Sequence, residues 1–395
     1  MKKLFVVLAA LGISFAQVLA EPLIVIVAMV KNEAAVIAQT LEPYAKAGIQ
    51  DFLIYDTGST DKTIAVTQNF FKEHTTKNGF IEQGQFVDFA TSRNRALELA
   101  EQKFPQADFF LMIDAEWYIT GVPELISFCK QHRQDIEPVY LIRITDNNTD
   151  FYTTRLIRRS AHPRFTGVVH EMLDQKAKIK TPASICFAWN PSAYGNEKTK
   201  KRWERDIQLL TAARKKDPKN LRTLFFLAQT YHGLGDLKQA YAQYEQYTKI
   251  STDLEETYLA LYRLGILADE LSKQDTHFTW AMARDHYLTA YMICPHRAEP
   301  LVELAHHYYS TKELPLCYIF ARRAAELPYP QTEYFCVEKQ IYDFARYDLL
   351  GACAASVGDY ERGEWALTKA LEARPQADYL HKNLQKYAEM RRLRK

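Results

Sequence analysis

The sequence predicts two structural classes in one chain: an α/β domain on a mostly parallel sheet, followed by an all-α domain of helical repeats. Three observations predict it. Strand and helix patterns alternate from Leu23 to about residue 190, which is how a parallel sheet with crossover helices reads. From about residue 200 the periodicity is helical throughout, and the segment 224–250 returns in outline at 347–375. At 395 residues the chain is also too long for a single ordinary core, given roughly 100–200 residues per domain.

The first twenty residues, MKKLFVVLAALGISFAQVLA, differ in character from the rest of the chain. Two lysines, an apolar run and small residues at 18 and 20 make the pattern of a secretory leader cleaved before Glu21. The run is short of the ~20 apolar residues of a membrane span, and an uncleaved anchor is the alternative. The expected organisation is a signal peptide at 1–20, the α/β domain at 21–195 and the repeats at 196–395.

Leu23–Val30, LIVIVAMV, is a continuous apolar run, as expected of a strand buried on both faces. Lys31-Asn32-Glu33 ends it, and 34–47 reads as a helix stopped by Gly48. Asp51–Tyr55 is the next strand, and Thr60 can cap a helix running to Phe71. Asp88 opens the helix FATSRNRALELAEQ. A third buried strand, Ala107–Ile113, ends at Asp114-Ala115-Glu116. Ligands of such sheets bind at the carboxyl ends of the strands. Asn32, Glu33, Asp56, Asp114 and Glu116 all fall at such ends.

In the second half, LFFLAQTYHGLGDLKQAYAQYEQYTKI and YDLLGACAASVGDYERGEWALTKALEARP share small residues on the first helix, Gly-Asp at the turn, and Ala or Gly along the second. They resemble the tetratricopeptide repeat, a helix pair of ~34 residues that stacks on its neighbours. Residues 255–297 and 298–330 read as two degenerate units between them. The Tyr and Leu stripes are then inter-helix packing, and His306-His307 is packing and surface.

Composition sets limits. Apolar content of 47% and charged content of 25% are those of a globular protein. A formal net charge of +2 gives no support for nucleic-acid binding. The six cysteines form no CxxC pair, so a zinc or redox motif is not indicated; buried free thiols are expected in a chain of this size.

The stretch FLIYDTGSTDKT (52–63) admits two enzyme readings. A pepsin-like protease needs two carboxylates sharing a proton, hence two Asp-Thr/Ser-Gly turns, and the chain has one. Asp-x-Gly-Ser is also ordinary turn chemistry. What remains resembles the family 2 glycosyltransferases of the GT-A fold over roughly residues 22–172. MVKNEAAVIAQTL, YDTGSTDKT, DFATSRNRALELA, FLMIDAEWYITG and TRLIRRSAHPRFTGVVHEML match that family's segments in order, the last as in members with C-terminal helical repeats. The family's Asp-x-Asp reads Asp114-Ala115-Glu116 here, a departure that leaves metal geometry open. A nucleotidyltransferase reading lacks the Gly-rich phosphate loop after the first strand.

The resemblance implies a nucleotide-sugar donor and Mn²⁺ or Mg²⁺, since hard oxygen ligands suit these ions and a cation stabilises a departing diphosphate. It implies donor binding by Asn32, Glu33, Asp56, Arg93 and Asp114, and metal binding by Asp114, Glu116 and His170. Asp61 is expected to serve either the donor pocket or a helix N-terminus. Transfer with inversion needs a base for the acceptor proton; the candidates are Glu171, Asp146 and Asp150. HEMLD at 170–174 has Asp where a zinc protease has its second His. The repeats are expected to hold a protein or glycan acceptor. The alternative is a decayed transferase fold in which the repeats bind partners. Export raises one tension, because bacterial nucleotide-sugars are cytosolic.

Overall fold

A computed structural model describes residues 21–74, 76, 78–145, 149–189, 193–330 and 337–393. The leader and Asp146 lie outside the described residues. Among the described residues no helix is long and apolar enough to cross a membrane.

The first half is built on a mixed sheet. Its strands are β1 (Ile24–Val30), β2 (Asp51–Asp56), β3 (Asn78–Gln83), β4 (Phe109–Ile113), β5 (Trp117–Thr120), β6 (Val139–Thr145) and β7 (Thr149–Arg158). Then come β8 (Phe165–Thr166), β9 (Met172–Leu173), β10 (Ile179–Lys180) and β11 (Cys186–Trp189). The main path runs β3-β2-β1-β4-β7-β6-β11-β5. β1 to β4 are mutually parallel where they pair, and β7 runs antiparallel to both β4 and β6. β8 and β9 form a separate hairpin.

The apolar run of β1 is explained by burial on both sides. Ile24, Ile26, Ala28 and Val30 pack with α1 (Ile37–Lys46), α2 (Thr63–Glu73) and α4 (Val122–Gln131). Val25 and Val27 face the opposite layer, with Leu97 and Ala100 of α3 (Phe89–Lys103). β3 was not expected from the sequence. NGFIEQ is short, polar at both ends and only half-buried at its centre, as an edge strand can be. Ala107–Ile113 is therefore the core of the fourth strand in sequence.

Helix starts also differ. Residues 34–36 form a turn before α1, with Val36 N and Ile37 N both donating to Glu33 O. Thr60 does not cap α2: its amide donates to Asn32 Oδ1 at 2.7 Å. Asp61 accepts from Thr63 N at the helix start, at 2.9 Å, and from Ala34 N at 3.1 Å. It thus ties the loops after β1 and β2 together, the structural one of its two expected roles. Asp88 caps α3 as expected, accepting from Thr91 N at 2.7 Å.

The second half is an array of helices: α5 (Ala193–Lys216), α6 (Leu221–Leu234), α7 (Leu237–Thr248), α8 (Leu254–Ser272), α9 (Trp280–Ile293), α10 (Glu299–Ser310), α11 (Leu314–Glu326), α12 (Arg346–Cys353), α13 (Tyr360–Ala373) and α14 (Asp378–Leu393). Each helix packs on the next in chain order, the arrangement of a helical-repeat solenoid. Asn220, Asp236, Asp253, Thr279 and Asp359 cap their helices through their side chains, so the turns are fixed locally. His307 stacks on Trp280, with ring centroids 3.4 Å apart. The cysteines at 129, 186, 294, 317 and 353 are buried free thiols.

The halves meet at several places, two of them through apolar packing and strand pairing. Val169, in the loop between β8 and β9, is buried in the same apolar cluster as Phe225 and Phe226 of α6. A short strand after α11, β12 (Val337–Glu338), pairs antiparallel with β7 at Asp150 and Thr149.

Candidate functional site

β1 has β2 on one side and β4 on the other, and the strand order reverses there. Such a switch point opens a crevice at the carboxyl ends of the strands. The register places the expected residues around it: Asp56 pairs with Val30 at the end of β1, and Ile113, just before Asp114, pairs with Ala28.

Asp56 is fully buried. Its Oδ1 accepts from Gly58 N at 2.9 Å and Ser59 N at 2.8 Å, a tight turn that needs the positive φ of Gly58 (98°). Its Oδ2 is buried with no hydrogen-bond partner among the described residues. Asn32, at φ 56°, locks this turn from β1: its amide donates to Ser59 Oγ at 2.8 Å while its Oδ1 accepts from Thr60 N. Glu33 N donates to Thr63 Oγ1 at 2.7 Å. The Glu33 and Glu116 carboxylates both act on Tyr118, whose hydroxyl pKa is raised by burial first and then by Glu116 and Glu33. Glu116 itself has φ 68°, so the turn after β4 is a left-handed one.

Asp114 lies between two arginines. Arg93 Nη2 donates to Oδ1 at 2.5 Å, and Arg155 Nη2 to Oδ2 at 3.3 Å. Arg93 Nε donates to Glu171, whose carboxylate also lies 3.5 Å from Arg155 Nη2. Both arginines are buried. Burial works to raise the Asp114 pKa, but Arg93 and Arg155 outweigh it and the carboxyl titrates lower than usual. Burial likewise opposes the charge of Arg93, and Asp114 and Glu171 more than offset it. Phe165 lies 5.8 Å from the Arg93 guanidinium and 5.6 Å from that of Arg155, and Trp117 lies 4.9 Å from Arg155. Arg93 Nη1 and Arg155 Nε and Nη1 are buried without a partner in the chain. Asn94 anchors this wall, exchanging two hydrogen bonds with the Phe165 backbone.

His170, at φ 51°, stacks on Phe226 of α6 with centroids 4.3 Å apart. Its carbonyl accepts from Arg222 Nη2 at 3.2 Å. Burial of the ring, against the pull of Glu171 and with the push of Arg202 and Arg222, lowers its pKa to about 4, although part of the residue is exposed. The imidazole is therefore neutral at pH 7.

Asp114, Arg93, Glu171 and His170 are brought together, and Asp56 and Asn32 share their rim. The expected metal set is a different matter. Among the described residues no group of three or more His, Cys, Asp and Glu side chains gathers in a metal-holding arrangement. Both oxygens of Asp114 are engaged by guanidinium groups, and the His170 ring lies on Phe226. Asp114, Glu116 and His170 in this arrangement do not fit a resident Mn²⁺ or Mg²⁺. Of the base candidates, Glu171 is held by two arginines. Asp150 pairs through its backbone with Val337, and its side chain lies outside the described residues.

Two participants were not expected. Arg155 lay within a quoted motif, but nothing marked it off from its neighbours. Asp206 on α5 is 3% exposed, with Oδ1 lacking a partner. Burial, together with Glu171 and against Arg202 and Arg205, raises its pKa to about 6. A signal existed: Trp203, Asp206, Ile207 and Leu210 follow helical spacing, and an acid on such an apolar face is unusual.

Comparison with known protein families finds no match, and comparison with curated proteins finds none either. Solved structures do resemble the chain. MamA is 19% identical over 47% of this chain and 97% of its own, with a TM-score of 0.35. The C-terminal part of a TPR repeat-containing protein from Cytophaga hutchinsonii is 12% identical over 50% of this chain and 71% of its own, at 0.37. YrrB, described as a TPR protein with an unusual peptide-binding site, is 14% identical over 47% and 85%, also at 0.37. Likeness at this level does not extend to function. By its own architecture the chain is a mixed α/β sheet joined to a helical-repeat array.

Proposed function

We propose that the α/β half is a GT-A-like glycosyltransferase domain that binds a nucleotide-sugar at the switch-point rim, and that the helical half presents a protein or glycan acceptor to it. The observation that carries this reading is Asp56 Oδ2, a buried carboxylate oxygen with no partner among the described residues. A buried acceptor left unmade costs about 1–3 kcal/mol, and a donor group of the ligand's base or ribose would relieve that cost. The unpartnered N–H groups of Arg93 and Arg155 lie at the same rim and suit the negative charge of a diphosphate. The ligand would then lie with its nucleoside toward β2 and its diphosphate toward β4 and β7.

The experiment is release of nucleoside diphosphate from a panel of nucleotide-sugars by the purified chain. Turnover that falls at least tenfold in Asp56→Asn supports the reading. No turnover and no nucleotide binding, with or without Mn²⁺, rejects it.

A second reading is a binding protein without turnover, in which the helical array captures a peptide or protein partner. The clasp of Asp114 by two arginines favours it, because it occupies the acid expected to serve the donor. Retained nucleotide binding without turnover in the presence of any acceptor would select it.

A further inference from the structure

Asp206 is a buried acid that neither half of the proposed division of labour uses. It stands on the first helix of the array but at the edge of the α/β site. Arg202, one turn earlier on α5, is the link: its charge acts on Asp114, on His170 and on Asp206. Glu171, clasped by Arg93 and Arg155, acts on Asp206 from the α/β side. Arg205, the neighbour on α5, lies over Phe86 and Phe89, 4.5 Å and 5.6 Å from their rings, and so holds α5 against the start of α3. Asp114 and Glu171 each face two guanidinium groups. Asp206 keeps one carboxylate oxygen with no hydrogen-bond partner among the described residues. Arg202, one turn earlier on α5, is exposed and marks the side from which an acceptor would approach.

We infer that Asp206 is the general base of the proposed transfer, supplied to the α/β site by the helical array. The inference rests on the donor-site reading above and adds the residue that reading lacks. An acceptor hydroxyl gives its proton to Asp206 Oδ1. Its oxygen forms the new bond to the anomeric carbon. The bond from that carbon to the diphosphate oxygen breaks, and the electron pair leaves with the nucleoside diphosphate. Nothing is oxidised or reduced, and water in place of the acceptor gives hydrolysis by the same step. A base works best with a pKa near the operating pH, and the groups facing Asp206 place it there. Burial and Glu171 raise its pKa, Arg202 and Arg205 hold the rise back, and it reaches about 6. The site is incomplete without the array, since this base comes from α5.

The test uses the full chain, with water as acceptor and a nucleotide-sugar that the wild type hydrolyses. Asp206→Asn is expected to lower kcat by roughly 10²-fold or more, with affinity for nucleoside diphosphate changed less than threefold. The wild-type rate should fall below about pH 6, and that limb should vanish in the variant. Formate should restore part of the rate in Asp206→Ala, which a packing residue would not allow; this arm also stands if Asp206→Asn proves poorly folded. Unchanged kcat in a folded Asp206→Asn, or no formate rescue in a folded Asp206→Ala, overturns the assignment and leaves the donor site standing. A wild type that binds no nucleoside diphosphate and hydrolyses no nucleotide-sugar overturns both.

Discussion

Asp56 Oδ1 receives the amides of Gly58 and Ser59, and Oδ2 is buried with no hydrogen-bond partner among the described residues. Two variants separate these tasks. Asp56→Ala removes the turn acceptor and should lower stability by about 1–3 kcal/mol, read as a drop in the urea midpoint. Asp56→Asn can keep the turn through its carbonyl oxygen and should lose ligand binding with a smaller loss of stability. Asp206 behaves in the opposite sense. Its folded pKa, about 6, lies above the 3.8 of an unperturbed Asp. The folded state therefore binds more protons between those values, and stability from this group is full below pH 4 and lost as pH rises through 6. Asp206→Asn should accordingly raise stability at pH 7.5 by an amount of order 2 kcal/mol, read as a higher melting temperature, and the gain should vanish near pH 4. Asp56 and Asp114 were legible because each ends an apolar strand. Arg155 and Asp206 were not, because the groups that act on them come from distant segments: Asp114, just after β4, for one, and Glu171, in the loop before β9, for the other.

The strand and helix pattern was readable where apolar spacing carried it. β1 and β4 are buried on both faces and read as unbroken apolar runs, while β3, an edge strand, left no such run. The helix start after β2 was misplaced because Thr60 has a competing partner in Asn32 across the rim, a tertiary bond that spacing does not reveal. In the array, close helix contact depends on small residues. Gly265 of α8 lies under the Tyr287 ring of α9, and a Cβ there would overlap the ring. Gly265→Ala should cost about 1–3 kcal/mol, measured by chemical denaturation, and should loosen the pair α8–α9 before the sheet. The recurrence of 224–250 at 347–375 foretold α6–α7 and α12–α13. It said nothing of α5, whose long charged sequence carries no repeat signature yet supplies Asp206.

Across the whole molecule, the halves share a core at Val169 and a ladder between β12 and β7. The sequence marks two rhythms and gives no sign of either junction, since β12 is two residues long. Such joining predicts one calorimetric unfolding transition for the chain. Val337→Pro removes a ladder donor and a buried side chain and should separate the transition into two, the sheet and the array melting apart. Two transitions in the wild type would show the junctions to be weak. The rim between β1, β2 and β4 is the proposed nucleotide site on which the transferase reading and the role given to Asp206 depend, and isothermal titration of the purified chain with nucleoside diphosphates addresses it most directly. Saturable binding of one molecule per chain, weakened at least tenfold in Asp56→Asn, is the predicted result. Absence of heat with every nucleotide, by a chain that is folded, would contradict it.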